Sequence, residues 1–531
     1  MKRALFFSLT LLFALGGCGG GDPTVQTVTA PSLAVAPHAL TLTAGAAPVA
    51  LFAALSGSEA PLTWSLDGPG ALSATQGSSV AYAPPADAEA TAQATVTVSA
   101  GDLSATVTLT LNPVVTEWFV STNGSDDAAG TQAKPFRTLT HALSVASSGQ
   151  KVWLADGTYD AEGGEVWPLP VADGVLLEAA HAGGAVLAGP SDATALSLAG
   201  GVSIQGVVFK DFERVFAGGP QAFGAVTLED VSCDSTGLTF SGAMQATLTG
   251  VTFKNLDPQD VALALTGAAR LQMTGGSITG AGYDADCEGA SGVYARHASV
   301  AQFEDVAFSQ LSQALSATEY GRVSLTGGTL ESSGACDTEQ SYQMDSGGIS
   351  LNGTTVTLTT GTAFWLVGAG TTLVLKDTTV TTSGACVLAA EADSIQLTDS
   401  TLSQCSTAID LSSGRATVTG SELIGNATGI KSDEGTSVTL RGTTVHGGEK
   451  ALLLYGSVDL GTAADLGGNS LSASTRVLEV HDDYATVNAV GNTWLPNEQG
   501  SDAQGHYASQ SVTGPISGKN FTLSTGIHFE L

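Results

Sequence analysis

Two aspartates, Asp377 and Asp399, stand 22 residues apart (399 − 377), with Lys376 beside the first. If the chain repeats with that period, the two share a column on adjacent coils and their carboxyls approach about 5 Å. That separation suits a carboxylate pair acting on a glycosidic bond. Their column otherwise carries Gly206, Gly250, Gly275, Gly327, Gly420 and Gly442. Gly and Asp exchange where the backbone turns left-handed, because Asp tolerates those dihedrals and bonds its own backbone. Turn chemistry therefore accounts for both residues, as it does for Asp230 and Asp305.

A second group brings acids and aromatics together: Tyr283, Asp284, Asp286 and Glu288, then Asp337, Glu339, Tyr342 and Asp345. Carboxylate oxygens are the hard ligands that calcium prefers, and tyrosine rings offer stacking surfaces to sugars. Two solvated loops stapled by a disulfide are the plainer account. Other chemistry lacks its signature. The eight histidines have no metal-ligand spacing, and neither a Gly-x-Ser-x-Gly elbow nor a phosphate loop occurs. The bases Arg270, Arg322, Lys376, Arg415 and Arg441 are spread out rather than clustered as a proton-abstracting lyase needs.

These residues acquire positions only from a repeat. The pattern apolar-x-[Gly/Asp]-x-[Ser/Thr]-apolar recurs with its first apolar residue at Ile204, Leu228, Leu248, Met273, Phe303, Leu325, Leu358, Leu375, Leu397, Val418, Leu440 and Leu460. Most steps are 20 to 25 residues; a step of 30 precedes Phe303, while 33 precedes and 17 follows Leu358. A second apolar column runs Phe209, Cys233, Phe253, Ile278, Phe308 and Leu330, then Val380, Leu402, Leu423 and Val445. Two such columns at a period near 22, in strand-forming residues with Gly turns, predict an all-β solenoid of about twelve coils, each burying its inner face on the next. The long steps predict insertions at Thr279–Gly292 and Glu331–Gly347.

Cys233 falls in the second apolar column and is expected as a buried free thiol. Cys287, Cys336, Cys386 and Cys405 fall near one corner and are expected to pair as Cys386–Cys405 and Cys287–Cys336.

At the N-terminus, Lys2-Arg3 precedes the apolar run Ala4–Leu15, and Leu15-Gly16-Gly17-Cys18 resembles a bacterial lipobox. The resemblance implies a signal peptide over 1–17, lipidation at Cys18 and a tether over 18–30. The run is shorter than the ~20 residues a membrane span needs. Residues 31–113 alternate apolar and polar in short runs around Trp64, which reads as a β-sandwich. Thr63-Trp64-Ser65 and Tyr82-Ala83-Pro84-Pro85 resemble bacterial Ig-like modules. From Phe119-Val-Ser-Thr-Asn123-Gly through Lys134-Pro135-Phe136 to Asp156-Gly157-Thr158-Tyr159, the chain resembles the opening of a family of β-helix domains of unknown function, related to the pectate-lyase-like superfamily. This implies a right-handed parallel β-helix, expected over 114–465; Leu139, Ala142, Leu143 and Ala146 fall at helical spacing and predict a short helix that caps the first coil, and the exposed strand edges at the other end predict a C-terminal coil and cap over 466–531. The resemblance brings no catalytic residues.

With 18 basic and 50 acidic residues the chain carries a formal charge of −32. That argues against nucleic acid, which is bound through Lys/Arg clusters, and disfavours a polyanion unless a cation intervenes. The expectation is a membrane-anchored extracytoplasmic protein, non-enzymatic, that binds a polysaccharide or a surface protein or is purely structural. A polysaccharide lyase or glycoside hydrolase is the alternative.

Overall fold

The computed structural model describes residues 31–523 except 87–90, 114, 218–223, 284–287, 333–339, 463, 475, 481–486, 490 and 495–521. Cys18, Asp284, Asp286, Cys287, Cys336, Asp337 and Glu339 lie outside the described residues. The chain divides into two units, 1–115 and 116–531.

In the first unit two four-stranded sheets, mostly antiparallel, share one core. Alternation dictates this: Val96 and Val98 on one strand and Val107, Leu109 and Leu111 on its neighbour turn inward around Trp64. The Trp64 indole donates to the Gly77 carbonyl at 2.8 Å, and the Tyr82 hydroxyl donates to the Pro69 carbonyl at 2.6 Å.

The second unit is an all-β parallel solenoid with, among the described residues, one short helix. Each coil contributes strands to three faces, and each strand pairs in parallel with its counterpart on the next coil. On the first face the inner register runs Ile204↔Leu228↔Leu248↔Met273↔Phe303↔Leu325 and later Leu375↔Leu397↔Val418↔Leu440. On the second it runs Phe209↔Cys233↔Phe253↔Ile278↔Phe308↔Leu330. Both columns read from the sequence are thus inside.

One coil is corrected. Leu325 pairs with Leu351, not Leu358, and Leu330 pairs with Val356. Leu351-Asn-Gly-Thr-Thr-Val356 fits the repeat, whereas Leu358 sits at the end of the second-face strand Thr355–Leu358. The steps of 33 and 17 become 26 (351 − 325) and 24 (375 − 351). Consequently 331–347 is not simply an inserted loop, because it contains the third-face strand Gln340–Asp345.

The third face went unread in the sequence. Its inner register is Leu263↔Val293↔Leu315↔Tyr342↔Phe364↔Val387↔Ile409↔Ile430↔Leu452. All of these are buried. Tyr342 is therefore a core residue, fully covered and 5.0 Å from the Phe364 ring, and burial pushes its hydroxyl pKa up. It offers no face to a ligand.

The helix Leu139–Val145 packs Leu139, Ala142 and Leu143 onto the start of the stack. Its first amides are satisfied by side chains: Thr138 accepts from His141 N, and Glu165 accepts from Leu139 N and Thr140 N at 2.7 and 2.8 Å. Asp126 accepts from Thr138 N and Arg137 N; burial pushes its carboxyl up, but these bonds win and hold it below the usual carboxylate range. At the other end, strands Ser470–Ala473, Val487–Ala489 and Thr493–Trp494 continue the pairing beyond Leu460.

Candidate functional site

Asp377 and Asp399 both have positive φ, 47° and 50°, as do Asp230 and Asp305 at 51° and 54°. Gly206, Gly250, Gly327 and Gly420 fill the same turn at 60–70°. Only left-handed backbone lets the chain leave the first face and enter the second in so few residues. Asp399 Oδ1 occupies the space a Cβ on Gly420 would need, so the carboxylate leans over the next coil's glycine. The pair with Lys376 is thus an exposed turn column.

Of the acidic and aromatic set, only Tyr283, Glu288, Tyr342 and Asp345 lie among the described residues. Tyr283 has its hydroxyl bound, 3.1 Å from the Leu311 carbonyl and 2.7 Å from Ser332 Oγ. Glu288 accepts from the Gln259 amide. Asp345 ends a third-face strand and accepts from Ser346 Oγ at 3.2 Å. Among the described residues no three His, Cys, Asp or Glu side chains gather to hold a metal. Cys386 and Cys405 are bonded, with Cα atoms 5.6 Å apart, and Cys233 is free and buried, its thiol pKa pushed up by burial.

What the fold does assemble is a line of outward side chains along the third face. Strand registers place Ala264, Tyr294, Ser316, Gln343, Trp365, Leu388, Asp410, Lys431 and Leu453 in one column, each on its own coil. Tyr294 and Trp365 are three coils apart, about 14 Å at strand spacing. Between them Gln313 Nε2 donates to Gln343 Oε1 at 3.0 Å. Further along, Lys431 Nζ donates to both oxygens of Asp410, at 2.9 and 3.1 Å. Burial pulls the Lys431 pKa down, but the Asp410 carboxylate outweighs it and leaves the ammonium raised above its ordinary value.

The second face outward is plainer, with Thr355 and Thr357, Thr379 and Thr381, then Thr401 and Ser403 in register. At the corner between third and first faces lies an open groove of about 620 Å³, lined among others by Glu391, Asp393 and Arg415. The sequence reading missed both the line and the groove. The signal was there: Gly292-Val-Tyr-Ala, Ala314-Leu-Ser-Ala, Ala363-Phe-Trp-Leu and Ala408-Ile-Asp-Leu repeat a small residue before an inward-outward-inward triplet.

Comparison with known proteins fits this architecture. Residues 122–285 match the model of a protein of unknown function (DUF1565), and residues 236–444 match that of a right-handed β-helix region. An uncharacterized protein, YwoF of Bacillus subtilis (strain 168), is 54% identical over 41 residues, 8% of this chain and 9% of that protein. The mannuronan C-5 epimerase AlgE6 A-module of Azotobacter vinelandii is 15% identical, covering 71% of this chain and 97% of its own, with a TM-score of 0.28. The catalytic unit of a GH87 alpha-1,3-glucanase from Streptomyces thermodiastaticus is 13% identical, covering 82% and 84%, with a TM-score of 0.32. At such scores neither enzyme lends this chain a site or an activity. Residues 122–285 thus resemble a family of unknown function and residues 236–444 a right-handed β-helix region, in keeping with the parallel solenoid.

Proposed function

We propose that this chain is an extracytoplasmic protein, lipid-anchored through Cys18, whose β-helix holds a glycan along its third face. The observation that carries the reading is the outward line itself. Tyr294, Gln343, Trp365, Asp410 and Lys431 sit in register on one face, Gln343 bonded to Gln313 beside the column and Lys431 to Asp410 within it. Partly exposed aromatics stack on the apolar faces of sugars, while amides and charges bond hydroxyls, and that mixture suits a glycan better than a protein surface. The N-terminal sandwich is, in this reading, an Ig-like module that follows the tether along the chain.

The test is a glycan array followed by titration of the best ligands into wild type and Trp365→Ala. Trp365 faces outward, so its loss should leave the stack folded and weaken binding at least tenfold. Unchanged affinity would remove the third face from the account. Lipidation predicts that Cys18→Ser moves the protein from the membrane to the soluble extracytoplasmic fraction.

The groove at Glu391, Asp393 and Arg415 favours a second reading, a polysaccharide lyase or glycoside hydrolase, because two carboxylates and a base line one concavity. Unsaturated or reducing-end products that vanish in Asp393→Asn would establish it; products that vanish in Asp377→Asn would instead return the chemistry to the turn column.

A further inference from the structure

Within the outward line Ser316 differs from its neighbours. Its side chain points away from the core, between inward Leu315 and Ala317, yet the residue is only 1% exposed. Its hydroxyl is buried with no hydrogen-bond partner. Two positions on, Thr318 is 9% exposed and its hydroxyl is likewise without a partner. On the preceding coil Tyr294 pairs with Ser316 and Ala295 with Ala317, which sets Arg296 beside Thr318. Arg296 Nε is buried and unpartnered too, while its guanidinium carbon lies 4.6 Å from the centre of the Tyr294 ring.

Three buried polar groups on two adjacent coils thus lack partners. Leaving each unsatisfied costs about 1–3 kcal/mol, and a partner supplied from outside would remove that cost. All three can donate: a guanidinium N–H and two hydroxyls. Their complement is a group that only accepts and carries negative charge, which is an oxyanion. The nearby acids are otherwise engaged. Glu319 lies 2.7 Å from His297 Nε2, and Asp345 accepts from Ser346. Among the described residues Arg296 forms no ion pair, and its guanidinium covers the ring a sugar would stack on. An oxyanion that draws the guanidinium toward itself uncovers Tyr294, which couples recognition of charge to stacking.

We infer that Arg296, Ser316 and Thr318 form an oxyanion subsite within the third-face line, taking the carboxylate of a uronic acid or the sulfate ester of a sugar. This rests on the reading that the third face holds a glycan. The charge of −32 repels a uniform polyanion, so the subsite selects chains whose acidic groups are sparse.

The experiment groups arrayed glycans as neutral, uronate-bearing and sulfated, and titrates the best of each group into wild type, Arg296→Met and the double variant Ser316→Ala/Thr318→Val. Wild type should prefer an acidic glycan over its neutral counterpart at least tenfold, and the preferred acidic group identifies carboxylate or sulfate. Both variants should lose that preference, so that each binds acidic and neutral glycans with equal affinity. The double variant, relieved of two unsatisfied hydroxyls, should also melt no lower than wild type. Equal affinity of wild type for acidic and neutral glycans, or a preference that survives Arg296→Met, overturns the subsite while leaving the third-face reading intact. Binding to no glycan overturns both.

Discussion

The two halves of the β-helix turn the same corner with different interiors. After the left-handed residue, the N-terminal coils place Val207, Val231, Val251, Gly276, Val306 and Gly328; the C-terminal coils place Thr354, Thr378, Ser400, Ser421, Thr443, Asn469 and Asn492. The polar set through Asn469 is as buried as the valines. It survives because each coil serves its neighbour. Thr378 N donates to Ser400 Oγ and Ser400 N to Ser421 Oγ, both at 3.1 Å; Thr443 N donates to Asn469 Oδ1 at 2.9 Å, and Asn469 N to Asn492 Oδ1 at 3.1 Å. One backbone turn thus accepts either fill, the polar one through hydrogen bonds that run from coil to coil as far as Asn492 Oδ1, while Asn492 Nδ2 stays buried and unpartnered.

That comparison can be broken at single residues. The largest effect is expected at Asn469, whose amide also bonds the carbonyls of Leu440 and Leu460 at 3.1 Å. Asn469→Leu strands several buried groups and should lower local stability by about 3 kcal/mol. Hydrogen exchange confined to the C-terminal coils is the measurement, since a solenoid opens in parts. Moving polarity the other way, Val251→Thr buries a hydroxyl where the valine half has no side-chain ladder to receive it, at a cost of about 2 kcal/mol. If Val251→Thr proves neutral, the two interiors are interchangeable and the ladder has no special role. Ser400→Ala removes the acceptor for Thr378 N and should cost about 1 kcal/mol.

A pH titration separates the regions further. The corner ladder contains no titratable group, so its protection should be flat in acid. The Asp126 carboxylate is held below its ordinary pKa, so its stabilisation is present above the unfolded value, near 4, and fades as pH falls through the lowered folded value. Acid should therefore loosen the helix Leu139–Val145 before the ladder, and Asp126→Asn should remove that part of the acid dependence.

The fold was legible because its inner columns are large and periodic. Leu228, Leu248, Phe253 and Phe308 recur with a turn residue between columns, and Leu139, Ala142 and Leu143 mark a helix by spacing. The coil at Leu351 was misread because Leu358 imitates the first apolar position one strand late. The candidate site was hidden for a different reason. Its residues share a column but not a chemical type: Tyr294, Ser316, Gln343 and Trp365 align only when the inward neighbours Val293, Leu315, Tyr342 and Phe364 are recognised as core. Tyr342 looked like a ligand platform because an aromatic among acids gives no sign in sequence of which way it faces.

Everything said of the third face requires that Gln343 and Trp365 stand side by side, pointing outward, on neighbouring coils. Disulfide trapping tests this directly with Gln343→Cys/Trp365→Cys, whose Cα atoms would lie about 5 Å apart, within bridging range. The account predicts rapid cross-linking of that pair under mild oxidation and none for Gln343→Cys/Leu366→Cys, in which the second side chain faces the core. Equal cross-linking of both pairs, or of the second alone, would contradict it.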